Sequence, residues 1–153
     1  MWWLATVSKH HPRNWDLCKE VGLFGYARGL AKCEEGDHML VWHGGRGYMA
    51  YGVITGAPFV PRTREEAPWP GGLYRFTSVV PFKVQLELPT AGIYLKFRDN
   101  VQEVTGFNTA KLQHSLSAIP DEAASLVTER LLEAELGDPK DAGTVGEVSR
   151  AES

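Results

Sequence analysis

Trp69 stands between Pro68 and Pro70 and is followed by Gly71–Gly72. Proline cannot donate to a backbone ladder and paired glycines punctuate loops, so this indole is displayed on a turn rather than in a strand or helix. Either it folds back as a plug under its own loop, or it offers a face to a flat ligand. Phe24 follows a helix-ending glycine and is a second aromatic at a break, and Tyr26, Tyr48, Tyr51 and Tyr74 lie near other breaks. An aromatic face held open at such a break suits a flat ligand, and Asn14, near the start of the helix before Phe24, suits a helix N-cap. Arg62, Arg64 and Arg75 flank the Trp69 loop and Arg46 lies in a glycine-rich turn. Guanidinium groups there permit an anionic partner.

Other chemistries lack their motifs. "HGGRGY" has no G-K-[ST] after it and sits between two strand-like runs, so it is not a phosphate-cradling P-loop. His10, His11, Cys18, Cys33, His38 and His43 show neither C-x-x-C nor H-x-x-x-H, and no metal site or cofactor is expected. No G-x-S-x-G occurs, and neither cysteine lies in a nucleophile motif.

The elements that position these groups read as follows. "WWLATVS" (2–8) is a strand apolar on both faces, and a helix runs from about Asn14 to Val21. Trp15 and Cys18, and Leu17 and Val21, share buried spacings in that helix, and Gly22 stops it. "LFGYA" is extended; "HMLVWH" and "YMAYGVITG" form a hairpin around "GGRG", with a bulge or close approach at Gly52. Trp15 and Trp42 are expected in the core. Residues 60–72 form a proline-rich loop. Phe82, Val84, Leu86 and Leu88 alternate with Lys83, Gln85 and Glu87 in a half-buried strand. "GIYLKFRDNVQEVTGF" alternates weakly, short apolar-periodic segments cover about 108–116, and a helix over 120–135 buries Ala123, Val127 and Leu131 before Gly137 ends it. The order is not the βαβ alternation of a parallel sheet. It points to an α+β fold, a small, partly closed barrel of five or six mostly antiparallel strands with helices packed outside.

The 153 residues suffice for one domain with a real core, here 1–137, followed by a polar acidic tail at 138–153 expected to be disordered. Two cysteines make no disulfide framework, and the opening "MWWLATVSKHH" lacks the build of a signal peptide, so a cytoplasmic protein is expected, with no membrane partner. The net charge of −3 conceals an asymmetry. Residues 121–153 hold nine acidic and three basic residues, leaving residues 1–120 at +3, a body that permits an anionic partner.

Six segments in order resemble one family: S-x-x-x-P-x-N-W (Ser8, Pro12, Asn14, Trp15), G-L-F-G-Y (22–26), E-E-G-D-H-M-L-V-W (34–42), Y-M-A-Y-G-V-I-T-G-A-P-F (48–59), P-W-P (68–70) and Y-R-F (74–76). Over residues 2–90 the chain resembles an EVE domain, a member of the PUA-like superfamily related to YTH and ASCH domains. The resemblance implies a pseudo-barrel with a pocket for a nucleobase, often modified, of DNA or RNA. In YTH relatives that pocket is an aromatic cage around a methylated base. Its positions correspond to Phe24 and Trp69, with Asn14, ten residues before Phe24, as the base-contacting polar residue. Where YTH domains carry a tryptophan, this chain has Phe24.

The expectation is therefore a non-enzymatic module with a base pocket of Ser8, Asn14, Phe24, Tyr26, Tyr48 and Trp69 and a phosphate rim of Arg46, Arg62, Arg64 and Arg75. Two alternatives stand beside it. An ASCH-like enzyme acting on a nucleoside-like molecule would need a titratable group facing the base, such as Asp37, His43 or Glu65. A protein–protein interaction module would bury Trp69 in its own loop with no cavity beside Phe24.

Overall fold

The computed structural model describes residues 1–27, 29–89 and 116–136. The extended stretch after Pro89, the periodicity over about 108–115, the helix stop at Gly137 and the acidic tail lie outside them.

Six strands form one mixed sheet: β1 (Trp2–Val7), β2 (Leu23–Tyr26), β3 (His38–His43), β4 (Gly47–Ile54), β5 (Ser78–Glu87) and β6 (Leu116–Ile119), in the order β2-β5-β4-β3-β1-β6. Only β1 and β3 pair in parallel, in register from Trp2↔His38 to Val7↔His43; the other neighbours are antiparallel. Helices α1 (Arg13–Val21), α2 (Gly72–Arg75) and α3 (Asp121–Glu135) complete an α+β, partly open barrel of the expected kind.

The sheet separates two apolar cores, which explains why β1 is apolar on both faces. Trp3, Ala5 and Val7 face a core shared with Trp15, Cys18, Phe24, Trp69 and Phe76, whereas Leu4 joins Leu40, Tyr48 and Leu86 beneath Ala123, Val127 and Leu131 of α3. The alternation in β5 is as the spacing predicts: Phe82 and Leu86 are buried and Lys83 and Gln85 exposed. Gly52 shows both expected features. The β4–β5 register shifts between Tyr51 and Gly52, and a Cβ at 52 would collide with the backbone carbonyl of Lys83.

α1 buries Trp15 and Cys18, and Gly22 ends it in the left-handed region at φ 71°. The Leu17/Val21 spacing does not mark a buried face: Leu17 is half-buried and Val21 is exposed, because the helix lies on the sheet along its Trp15–Cys18 edge. The Trp15 indole Nε1 donates to Glu87 Oε2 at 2.6 Å, and Lys19 Nζ closes on both oxygens of the same carboxylate at 2.9 and 3.0 Å. Trp42, expected in the core, is half-buried and meets Tyr48 edge-on at 4.8 Å between ring centres.

Candidate functional site

Three short segments converge at one end of the first core: the end of β1, the first turn of α1 and the loop that carries Trp69. The chain turns after β1 where His10 N–H donates to Ser8 Oγ (3.1 Å) and His11 N–H to the Ser8 carbonyl (3.2 Å). Pro12, not Asn14, occupies the cap position of α1, and no side chain caps the helix. Asn14 is consequently the second helical residue. Its half-buried amide has no hydrogen-bond partner among the described residues and is free of the capping role its residue type suggested.

The Trp69 loop is fastened from within. A single 3-10 turn over Arg64–Glu66 is followed by two carbonyls, of Ala67 and Trp69, that both accept from Arg64 Nη1, the second at 2.8 Å. Glu66 Oε1 accepts from the Arg62 N–H at 2.9 Å, and the Trp69 carbonyl also accepts from the Gly72 N–H at 2.9 Å. Gly71 and Gly72 have φ of 96° and 48°, which lets the chain turn sharply into α2. Trp69 is thereby folded inward and is 1% exposed. Its ring lies over Gly25 of β2 and against Phe76, 4.9 Å between ring centres.

Ser8, Asn14, Cys18, Phe24, Trp69 and Phe76 line one cavity of about 20 Å³. That holds roughly one water molecule and is far below the roughly 300–1,000 Å³ of small-molecule pockets. Among the described residues the buried indole Nε1 of Trp69 has no oxygen or nitrogen hydrogen-bond partner. Such a donor costs free energy unless something occupies the space before it. The nearby Cys18 thiol is only a weak acceptor. Burial pushes that thiol up to about 12, while the Gly25 backbone and the Trp69 indole pull it the other way, so Cys18 stays protonated.

Outside this cavity, and sharing Asn14 with it, lies an open groove of about 550 Å³ between α1 and the Trp69 loop. Its walls are Arg13, Asp16, Leu17 and Glu20 of α1 on one side and Arg64, Pro68 and Pro70 on the other, with His10 and His11 at the β1 end. Arg75 Nη1 donates to His11 Nε2 at 3.3 Å and its guanidinium lies 5.7 Å from the centre of the Phe76 ring.

The residues singled out in the sequence are thus distributed unevenly. Ser8, Asn14, Phe24 and Trp69 share the small cavity and Arg64 lines the groove. Tyr26 is buried beside Phe24, its ring 6.4 Å from that of Phe24 and its hydroxyl accepting from the Ala31 N–H, but it does not line the cavity. Tyr48 belongs to the other core, on the α3 side of the sheet, because β4 turns it away from Met49. Arg46 in the β3–β4 turn, Arg62 and Arg75 line neither space, although Arg75 is held against His11 of the groove. Phe76, Cys18 and Gly25 also line the cavity, and the sequence reading does not place them there. For Gly25 a signal existed, since a glycine inside a strand marks close approach.

Asp37, His43 and Glu65 lie elsewhere too. Asp37 accepts from the Trp3 indole at 3.1 Å, the Glu34 N–H at 2.9 Å and the N-terminal ammonium at 3.5 Å. Burial opposes its charge, yet these donors outweigh it and hold the carboxyl below its ordinary value. His43 is buried between the carbonyls of Gly44 (3.0 Å from Nδ1) and Pro12 (3.4 Å from Nε2), tying the end of β3 to the start of α1. Among the described residues no group of His, Cys, Asp and Glu is arranged to hold a metal ion, and no helix is long and apolar enough to cross a membrane.

No protein-family model matches the sequence, and no curated protein is similar to it in sequence. Solved structures share its fold. A hypothetical protein from Leishmania major superposes with a TM-score of 0.62 at 13% identity, covering 88% of this chain and 96% of that one. The YTH domain of Toxoplasma CPSF4 in its apo form does so with a TM-score of 0.58 at 11% identity, over 86% and 87% of the two chains. The same Toxoplasma domain in complex with a 7-mer m6A-modified RNA gives 0.55 at 11% identity, over 84% and 90%. The chain thus shares the fold of these structures, a YTH domain among them.

Proposed function

We propose that this protein is a non-enzymatic module that takes a modified nucleobase of a single-stranded nucleic acid, RNA foremost, into the space bounded by Phe24, Trp69, Asn14 and Ser8. One observation carries the reading. These four residues come from separate places in the chain, yet line a single cavity at which a buried indole donor has no oxygen or nitrogen partner among the described residues. A structure of the same fold with m6A-modified RNA supports it, as does the positioning of the three titratable candidates for an enzyme, Asp37, His43 and Glu65, away from the cavity.

In the form described, Trp69 fills most of the room a base requires. Uptake therefore begins with an outward movement of the Trp69 loop, after which the indole and Phe24 present stacking faces and the Asn14 amide reaches the base edge. Extruding a base costs a few kcal/mol, less from a single strand, and stacking recovers it. Arg64 and Arg75 flank the opening and hold phosphates, with Arg62 and Arg46 as outer contributors.

The test is a binding titration with short RNA and DNA strands, with and without N6-methyladenine, at two salt concentrations, on the wild type, Phe24→Ala and Trp69→Ala. Modification-dependent binding that both substitutions abolish is expected, with affinity falling as salt rises. Absence of binding by a folded wild type would overturn the reading and favour a protein–protein module, for which the deep burial of Trp69 is the supporting observation.

A further inference from the structure

The groove beside α1 has a shape and charge order that the base cavity does not require. At 550 Å³ it is much larger than a phosphate needs and lies within the range of sites for whole small molecules. Arg13, Asp16, Leu17 and Glu20 follow one another along one face of α1 at helical spacing. From Arg13 to Glu20 is about 10 Å along the helix axis. Along α1 the groove is therefore cationic at Arg13 and acidic from Asp16 to Glu20, with Leu17 between the two carboxylates and Pro68 and Pro70 on the facing wall.

The cationic end is built, not incidental. Arg64 spends Nη1 on the carbonyls of Ala67 and Trp69, which fixes the guanidinium in place; its Nε and Nη2 have no partner among the described residues. A held guanidinium loses little freedom on binding an oxyanion. Across the groove stand Arg13 and the N-terminal end of α1, which favours negative charge through the helix dipole. Further along α1, Asp16 and Glu20 are acceptors only, Asp16 with Lys19 at 3.7 Å.

We propose that this groove is a second nucleotide subsite, for a nucleotide adjoining the one whose base is read, and that it prefers a base bearing an exocyclic amino group. The phosphate lies on Arg13 and Arg64, the flat ring rests against Leu17 and the prolines, and the amino group of adenine or cytosine donates to Glu20 or Asp16. Uracil and thymine turn a carbonyl toward the same carboxylates and are repelled. The inference rests on the base-binding reading for its physiological ligand, but the groove can be tested without it.

The experiment has two arms. In the first, single-stranded RNAs with one fixed N6-methyladenine and A, C or U at each neighbouring position in turn are titrated against the wild type, Arg13→Ala, Asp16→Ala and Glu20→Ala. All three are exposed positions on a helix, where alanine preserves the fold. At one neighbouring position A and C should bind about tenfold more tightly than U, the worth of one charge-assisted hydrogen bond. Glu20→Ala or Asp16→Ala should erase that preference, and Arg13→Ala should lower affinity evenly and reduce the salt slope by about one. In the second arm, adenosine and uridine monophosphates are titrated into wild type and Trp69→Ala, followed by amide NMR shifts. Adenosine monophosphate should shift α1 amides more than uridine monophosphate in both proteins.

Trp69-dependent RNA binding with no neighbour preference would overturn the groove while leaving the base pocket standing. Shifts along α1 that survive Trp69→Ala, with no modification-dependent RNA binding, would uphold the groove and overturn the pocket. A neighbour preference untouched by Asp16→Ala and Glu20→Ala would overturn the assignment to these carboxylates.

Discussion

The indole of Trp69 lies so close over the backbone of Gly25 that a Cβ at position 25 would stand 2.5 Å from Cζ3 and 2.9 Å from Cε3 of the ring. The glycine in β2 is what allows the loop to tuck its tryptophan inward. The same hypothetical Cβ would lie 2.9 Å from Cδ1 of Phe76. Gly25→Ala should therefore cost about 1–3 kcal/mol through overpacking and shift Trp69 outward. Urea denaturation measures the first effect. A rise in acrylamide quenching of a protein whose other tryptophans are replaced by phenylalanine measures the second. An unchanged midpoint with unchanged quenching would contradict the packing described.

Trp69 itself separates packing from hydrogen bonding. Trp69→Ala leaves a large void and should cost about 3–5 kcal/mol. Trp69→Phe should cost clearly less than half of that, because the indole N–H it removes has no oxygen or nitrogen partner among the described residues. Equal losses for the two variants would mean that the N–H has a partner after all.

Glu87 is the joint between α1 and β5. Its carboxylate receives the Trp15 indole N–H and the Lys19 ammonium, so Glu87→Ala leaves a donor of a fully buried tryptophan unpaired. A loss of about 1–3 kcal/mol is expected. Lys19→Met, which keeps the packing and leaves Trp15 paired, should cost much less, since a partly exposed ion pair contributes about 0–1 kcal/mol. Thermal midpoints of the two variants decide the matter.

Alkaline and acid limbs of the stability curve have assignable origins. Burial pushes Cys18 up to about 12 and Cys33 up to about 11, from an ordinary value of 9.0. The folded state favours the neutral thiols, so their contribution is intact below about pH 9 and is lost as pH rises through the folded values. Cys18→Ala should flatten that limb. Asp37, held below its ordinary 3.8, contributes above that pH and loses its contribution as pH falls. Asp37→Asn should flatten the acid limb and, because the Asp37 charge also helps to hold the Cys33 thiol up, soften the alkaline one slightly.

The fold was legible where a residue's surroundings follow from its own segment. The period-two pattern of β5, the apolar stripe of α3 and the glycine stop after α1 each report local geometry, and each is found in place. The sequence could not reveal which face of β4 meets which core. Tyr48 and Met49 are neighbours in a strand buried throughout its first half, and only the docking of α3 decides that Tyr48 turns away from the cavity. The cavity was half legible. Trp69 and Phe24 stand at breaks that proline and glycine announce. Phe76 and Cys18 join them through the inward tuck of the loop, which depends on the Arg64 clamp on two carbonyls five residues or fewer away. The Leu17/Val21 spacing misled because a short helix lying along one edge can satisfy two helical stripes and bury one.

The position of β1 in the sheet has a bearing on how the protein is made. Strand β1 lies between β3 and β6, its Trp2 paired with His38 on one side and Ile119 on the other. The earliest of these six strands in the chain is therefore among the last to be enclosed: it has one neighbour only after β3 has formed, and the other only after residue 119 has emerged. Contacts of such long sequence separation slow folding and prolong the exposure of unpaired apolar strand. During that interval "WWLATV" is a bare edge, so nascent chains halted before β6 should be the ones that chaperones hold.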